Sequence, residues 1–101
     1  MAAVLAFGRE EEPSSPLVTV FCVQAFWRDR AKLAKGRFEQ FPSMESALRA
    51  GKAAALRAPA VVVYRVRGNA EAGFWEEPVV LAALGEAAQA RREGRLEPLH
   101  R

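Results

Sequence analysis

A chain of 101 residues, half of them apolar and 27% charged, has the size and composition of one globular domain, which excludes wholesale disorder. The single cysteine, Cys22, excludes an intrachain disulfide and a cysteine-built zinc site, and it points to a reducing compartment. Net charge is +3, divided as −2 over residues 1–16, +7 over 17–70 and −2 over 71–101, so a basic middle lies between two mildly acidic ends.

The first sixteen residues end in Glu-Glu-Glu-Pro-Ser-Ser-Pro and read as a mobile arm. Their start, Met1 to Gly8, is apolar, but its core of about six residues is shorter than the roughly seven to fifteen of a secretory core, has no Lys or Arg before it, and runs into Glu10, Glu11 and Glu12. No run approaches the roughly 20 apolar residues that span a bilayer, so the expected location is cytoplasmic, with no membrane partner.

Residues 17–27 are rich in β-branched and aromatic side chains and predict the strongest strand. One face carries Val18, Val20, Cys22, Gln24 and Phe26, and the other carries Leu17, Thr19, Phe21, Val23, Ala25 and Trp27. Both faces are largely apolar, so the strand needs cover on both sides. Residues 28–36 are charged and end at Gly36, which predicts a turn, and residues 37–41 predict a short return strand. Pro42-Ser43 opens a helix with Ser43 as N-cap and Glu45 in its first turn. The packed arc carries Met44, Ala47, Leu48, Gly51, Ala54, Ala55 and Ala58, mostly small side chains, so the helix can lie close to a sheet. Pro59 ends it at Ala58.

Residues 60–67 predict another strand, with turn signals at Gly68-Asn69 and Gly73. The segment after Pro78 has two readings. Val79 to Gly85 is a strand followed by a short helix over 86–93, or Glu76-Glu77-Pro78 opens one helix running to Glu93. Val79-Val80 favours the strand. Residues 95–101 read as a frayed tail. The prediction is one α+β domain over 17–94, a small mainly antiparallel sheet in β-β-α-β-β order with one helix packed on it and a further helix at its C-terminal end.

The catalytic inventory is thin. His100, the sole histidine, falls in the expected tail, where a general base is poorly held. Cys22 lies mid-strand between Phe21 and Val23, the setting of a small buried hydrophobe rather than an activated thiol. Glu76 and Glu77 are adjacent, so on a strand they point to opposite faces and share no proton or metal. No glycine-rich phosphate loop exists, because Gly68 and Gly73 do not fit the dinucleotide fingerprint and Gly51-Lys52 is followed by alanine. No enzyme activity, cofactor or metal site is therefore expected.

A basic surface with aromatics remains. Arg28, Arg30, Lys32, Lys35 and Arg37 come from the first turn, Arg65 and Arg67 end the third strand, and Trp75 sits beside the second turn. Basic side chains beside aromatics are the parts of a nucleic-acid platform. They are equally a solvated rim around a core. Arginine outnumbers lysine twelve to three and alanine supplies twenty residues, the bias of a GC-rich bacterial genome, which weakens any reading of arginine as chosen for its fork of donors.

The pattern Val23-Gln24-Ala25-Phe26, an Ala/Arg-rich helix, Val61 to Gly68, then Glu77-Pro78-Val79-Val80-Leu81-Ala82 and Gly85 resembles short uncharacterised alphaproteobacterial proteins over about residues 17–85. The resemblance implies a recurring bacterial domain and no activity. The leading functional expectation is a non-catalytic protein-interaction module, self-associating as a homodimer where the second face of the first strand lacks cover. A nucleic-acid-binding module and an accessory subunit of an enzyme are the alternatives.

Overall fold

The computed structural model describes residues 17–94. The arm expected over 1–16 and the tail over 95–101, with His100, lie outside the described residues. The chain forms β1 (Val18–Asp29), β2 (Lys32–Phe41), α1 (Met44–Ala54), β3 (Ala60–Asn69), β4 (Phe74–Trp75), β5 (Val79–Gly85) and α2 (Glu86–Arg92). The fold is α+β, as expected, and every strand pairing is antiparallel.

The strands lie in the order β2-β1-β3, with β4 and β5 both on the outer side of β3. β4 pairs with Gly68 and Asn69, and β5 pairs with Ala60 to Arg65, so the two are one long edge strand interrupted at 76–78. Pro78 supplies no amide donor, which suits the interruption. β1 and β3 form the central seam, from Val18 opposite Gly68 to Phe26 opposite Ala60. The fully buried Val61, Val62, Val63 and Cys22 all belong to that seam.

Two apolar layers follow from the alternation of β1 and β3. Val23, Val61 and Val63 meet α1 through Ala47, with Phe21, Ala25, Leu48, Ala54 and Leu84 around them. On the opposite face Cys22, Ala60, Val62 and Tyr64 meet Ala87 of α2. The division of β1 into two apolar faces is as the sequence predicts, and both faces receive a helix. The strand over Val79–Gly85 followed by a helix is also observed, so the single-helix reading of 78–93 does not hold.

The first turn is a correction. It is only Arg30-Ala31, with Asp29 opposite Lys32, and Arg30 takes a left-handed φ of 61°. Residues 32–36 are strand. They look like a loop because an edge strand facing solvent carries charged side chains. Gly36 sits instead at a bulge, where the register slips between Gln24 and Phe26. The buried Gln24 amide secures that bulge by donating to the carbonyls of Ala25 at 2.8 Å, Gly36 at 3.1 Å and Arg37 at 3.3 Å. The second turn shifts similarly: Gly68 and Asn69 remain in strand, and the turn covers 70–73.

α1 begins where Pro42-Ser43 predicts. The Ser43 hydroxyl accepts from the Ser46 amide at 3.1 Å. The helix ends at Ala54 rather than Ala58. Its last turn tightens instead, with Leu56 donating to Ala53 at 3.2 Å and Arg57 to Ala54 at 3.0 Å, a common way to satisfy terminal carbonyls.

Candidate functional site

The expected basic surface is not brought together. Arg28, Arg30 and Lys32 cluster at the β1–β2 turn, whereas Arg67 lies opposite Thr19 near the start of β1. Nine residues of strand separate Thr19 from Arg28, roughly 30 Å. Arg65 and Arg67 share the α1 face, as two-residue spacing predicts, but Trp75, opposite Gly68, belongs to the other face. Several charges are also occupied. Arg67 makes a two-pronged ion pair with Glu76 at 3.1 Å through both Nε and Nη2. Arg28 pairs with Glu86 and so ties the first hairpin to α2. Arg37 lies 3.3 Å from Glu39. Lys35 faces outward opposite Phe26 on the α2 side. The aromatics divide as well: Tyr64 is 6% exposed, while Trp27 and Trp75 are 57% and 44% exposed at opposite ends of the sheet.

Cys22 is buried and faces Tyr64 across the seam. Burial pushes the Cys22 thiol up from its ordinary 9.0, a rise partly offset by its hydrogen bond with Tyr64. Burial also pushes the Tyr64 hydroxyl well above its ordinary 10.0, reinforced by the charge of a Cys22 thiolate and by the same hydrogen bond. Both groups are neutral acids in the fold. Below pH 9.0 they are protonated in folded and unfolded chains alike, so their contribution to stability is fully present. As pH rises past 9.0 and then 10.0, the unfolded chain releases protons that the folded chain keeps, and that stability is lost. The urea midpoint is expected to fall between about pH 9 and 11, and Cys22→Ala to flatten the onset of the fall, each proton being worth up to about 1.4 kcal/mol per pH unit. A midpoint independent of pH over that range would show that the buried pair titrates freely.

Two surfaces stand out once the strands are in place. The first is the end of the α2 face that α2 does not reach. There Val18 is 46% exposed and Trp75 44%, with Val20, Val66 and Val80 half-buried beside them; Phe38 shares this face but lies opposite Gln24, about 20 Å along the strand from Val18. Cross-strand register makes them neighbours: Val18 faces Gly68, which faces Trp75, and Val20 faces Val66. Gly68 carries no side chain because the Trp75 ring lies on it; an added Cβ would sit 2.5 Å from that ring and 2.2 Å from the Phe74 carbonyl oxygen. Gln40, opposite Cys22, is the polar neighbour, and the strand positions of this end carry no charged side chain.

The second surface is a trough between α1 and β2. Cavities of about 570 and 320 Å³ share Ala25, Arg37, Arg57 and Ala58, so they run together. Alanines and Phe41 form its floor, and Trp27 stands at one end. The Trp27 indole is steadied by donating to the Lys35 carbonyl at 3.2 Å. Sequence reading singles out Trp75 and counts Trp27, Phe38 and Arg57 only among the basic and aromatic residues at large, and it misses Val18. The first strand's apolar alternation marks Val18 as needing cover, but nothing local distinguishes the part α2 covers from the part it leaves.

Among the described residues, no three His, Cys, Asp or Glu side chains converge to hold a metal ion, and no helix is long and apolar enough to cross a membrane. The chain matches no protein-family model, no curated protein and no solved structure.

Proposed function

We propose that this domain is a non-catalytic protein-interaction module that pairs with a second copy of itself through the open end of the α2 face. The observation that carries this reading is the apolar patch of Val18 and Trp75 with Val20 and Val66 beside them, left beside a helix that covers only the other end of the same sheet. A contiguous apolar patch on a small domain marks an interaction surface. A patch without charge can meet its own copy with no like-charge repulsion, and a two-fold contact requires that self-complementarity. Two sheets stacked this way lie about 10 Å apart, close enough to bury the Trp75 indole. The ion pair of Arg67 and Glu76 stands on the other face, so it does not enter the contact.

Sedimentation of the full chain across a concentration series tests the reading. A monomer–dimer equilibrium is expected, with Val18→Lys shifting it to monomer by placing two like charges across the two-fold. Val18 is exposed in the monomer, so this variant is expected to fold normally. A strict monomer at every concentration removes the self-association reading.

A further inference from the structure

We infer that the trough between α1 and β2 binds an extended acidic peptide segment, which joins the sheet as a strand alongside β2. β2 is the edge of the sheet: it pairs with β1, and among the described residues no strand covers its other side. An edge strand with a helix standing over it leaves a slot. A peptide laid in that slot gains main-chain hydrogen bonds from the strand and sets alternate side chains between strand and helix.

Here the slot has the features such a ligand requires. Its floor is apolar and shallow because α1 and the turn after it bring alanines to it, at Ala50, Ala54 and Ala58, with Ala25 and Phe41. Small side chains on the floor leave room for branched apolar ones on the ligand. Its rims are cationic. Arg37 on the strand and Arg57 beyond the helix line both cavities. Arg57 makes no ion pair among the described residues, and Arg37 has only an exposed contact with Glu39, weak by position. β2 turns Arg37 and Glu39 to the trough, while Lys35 stands on the α2 side, so with Arg57 the lining is net cationic. Charge complementarity therefore selects acidic residues in the ligand, and steers it on approach. The trough lies on the α1 side of the sheet, away from the open patch of Val18 and Trp75, so this inference does not depend on self-association and either can fail alone.

Panning the full-length protein against a random-sequence peptide library tests it. Selected peptides are expected to alternate apolar residues with Asp or Glu. A synthetic peptide of the selected sequence is expected to slow amide exchange in β2 and to shift α1 resonances lining the trough. Reversing both rims, with Arg37→Glu and Arg57→Glu, is expected to weaken its binding by about tenfold or more. Ala53→Phe, which fills the trough from an exposed helix position, weakens binding without changing charge. Circular dichroism and thermal melts establish that both variants fold. The inference is overturned if no peptide is enriched, if the selected peptides lack acids, if binding survives both variants, or if the protected amides lie in α2 or the open patch. Displacement of the peptide from wild type by a single-stranded oligothymidylate that binds the same rims more tightly would also overturn it, reassigning the trough to nucleic acid.

Discussion

Replacing Gly85 with alanine is expected to leave the domain on the edge of unfolding. Gly85 joins β5 to α2 with a φ of 66° and a ψ of −137°, a conformation essentially confined to glycine that costs an L-residue roughly 1–3 kcal/mol. Its surroundings add a second penalty. A Cβ there would sit 2.4 Å from the Pro59 carbonyl oxygen. That oxygen cannot simply withdraw, because it accepts the amide of Glu86 at 2.9 Å. The contact holds the start of β3 against the start of α2, so moving it disturbs the pairing of Ala60 with Gly85 and the seat of Ala87 in the core. Backbone strain and overpacking together are expected to cost about 3 kcal/mol or more. A domain of this size holds roughly 5–15 kcal/mol in total. The melting temperature should then fall by at least about 12 °C. A melt within a few degrees of wild type would show that the junction relaxes without loss.

Gly51→Leu is expected to unseat α1. The helix lies so close to the sheet that a Cβ at Gly51 would come within 2.5 Å of a Val63 methyl, with Val61 and Leu84 just beyond. Val63 is fully buried and β-branched, so it has no other rotamer to retreat into. Leucine gains about 1 kcal/mol over glycine in intrinsic helix preference. Overpacking at this contact is expected to cost about 3 kcal/mol, which decides the sign. Gly51→Ala separates the two effects, because it adds the Cβ alone and is expected to destabilise by about 1 kcal/mol net. Equilibrium urea unfolding measures both. A stabilised Gly51→Ala would mean that α1 rides higher on the sheet than the contact distance implies.

Much of this fold is legible in the residues. The double apolar alternation of Val18 to Trp27 announces a strand covered on both sides, and Pro42-Ser43 and Pro59-Ala60 mark the helix boundaries within a few residues. Val79-Val80 and Gly85 divide the last segment into strand and helix. The hairpin turns are less legible, for a physical reason in each case. Lys32, Lys35 and Gly36 have loop-like composition because β2 faces solvent, and its bulge is held by Gln24, twelve residues earlier in the chain. Gly68 looks like a turn residue but is a strand residue that makes room for the Trp75 ring. The candidate surfaces are the least legible. Arg28 and Arg67 are drawn into pairs with Glu86 and Glu76, and those partners are known only once the strands are in register. The trough exists because α1 crosses mainly β1 and β3 and leaves part of β2 uncovered, a matter of helix placement that no local spacing encodes.

The chain has two tryptophans, and the fold sends them to different places. Trp75 belongs to the open patch, and Trp27 stands at the mouth of the trough. Each proposed contact therefore contains its own intrinsic fluorophore. With Trp27→Phe, the remaining emission reports dimer formation through Trp75 by its shift to shorter wavelength. With Trp75→Phe, it reports peptide entry through Trp27 by a change in intensity or wavelength. The two events can be followed separately in one protein, without any attached label.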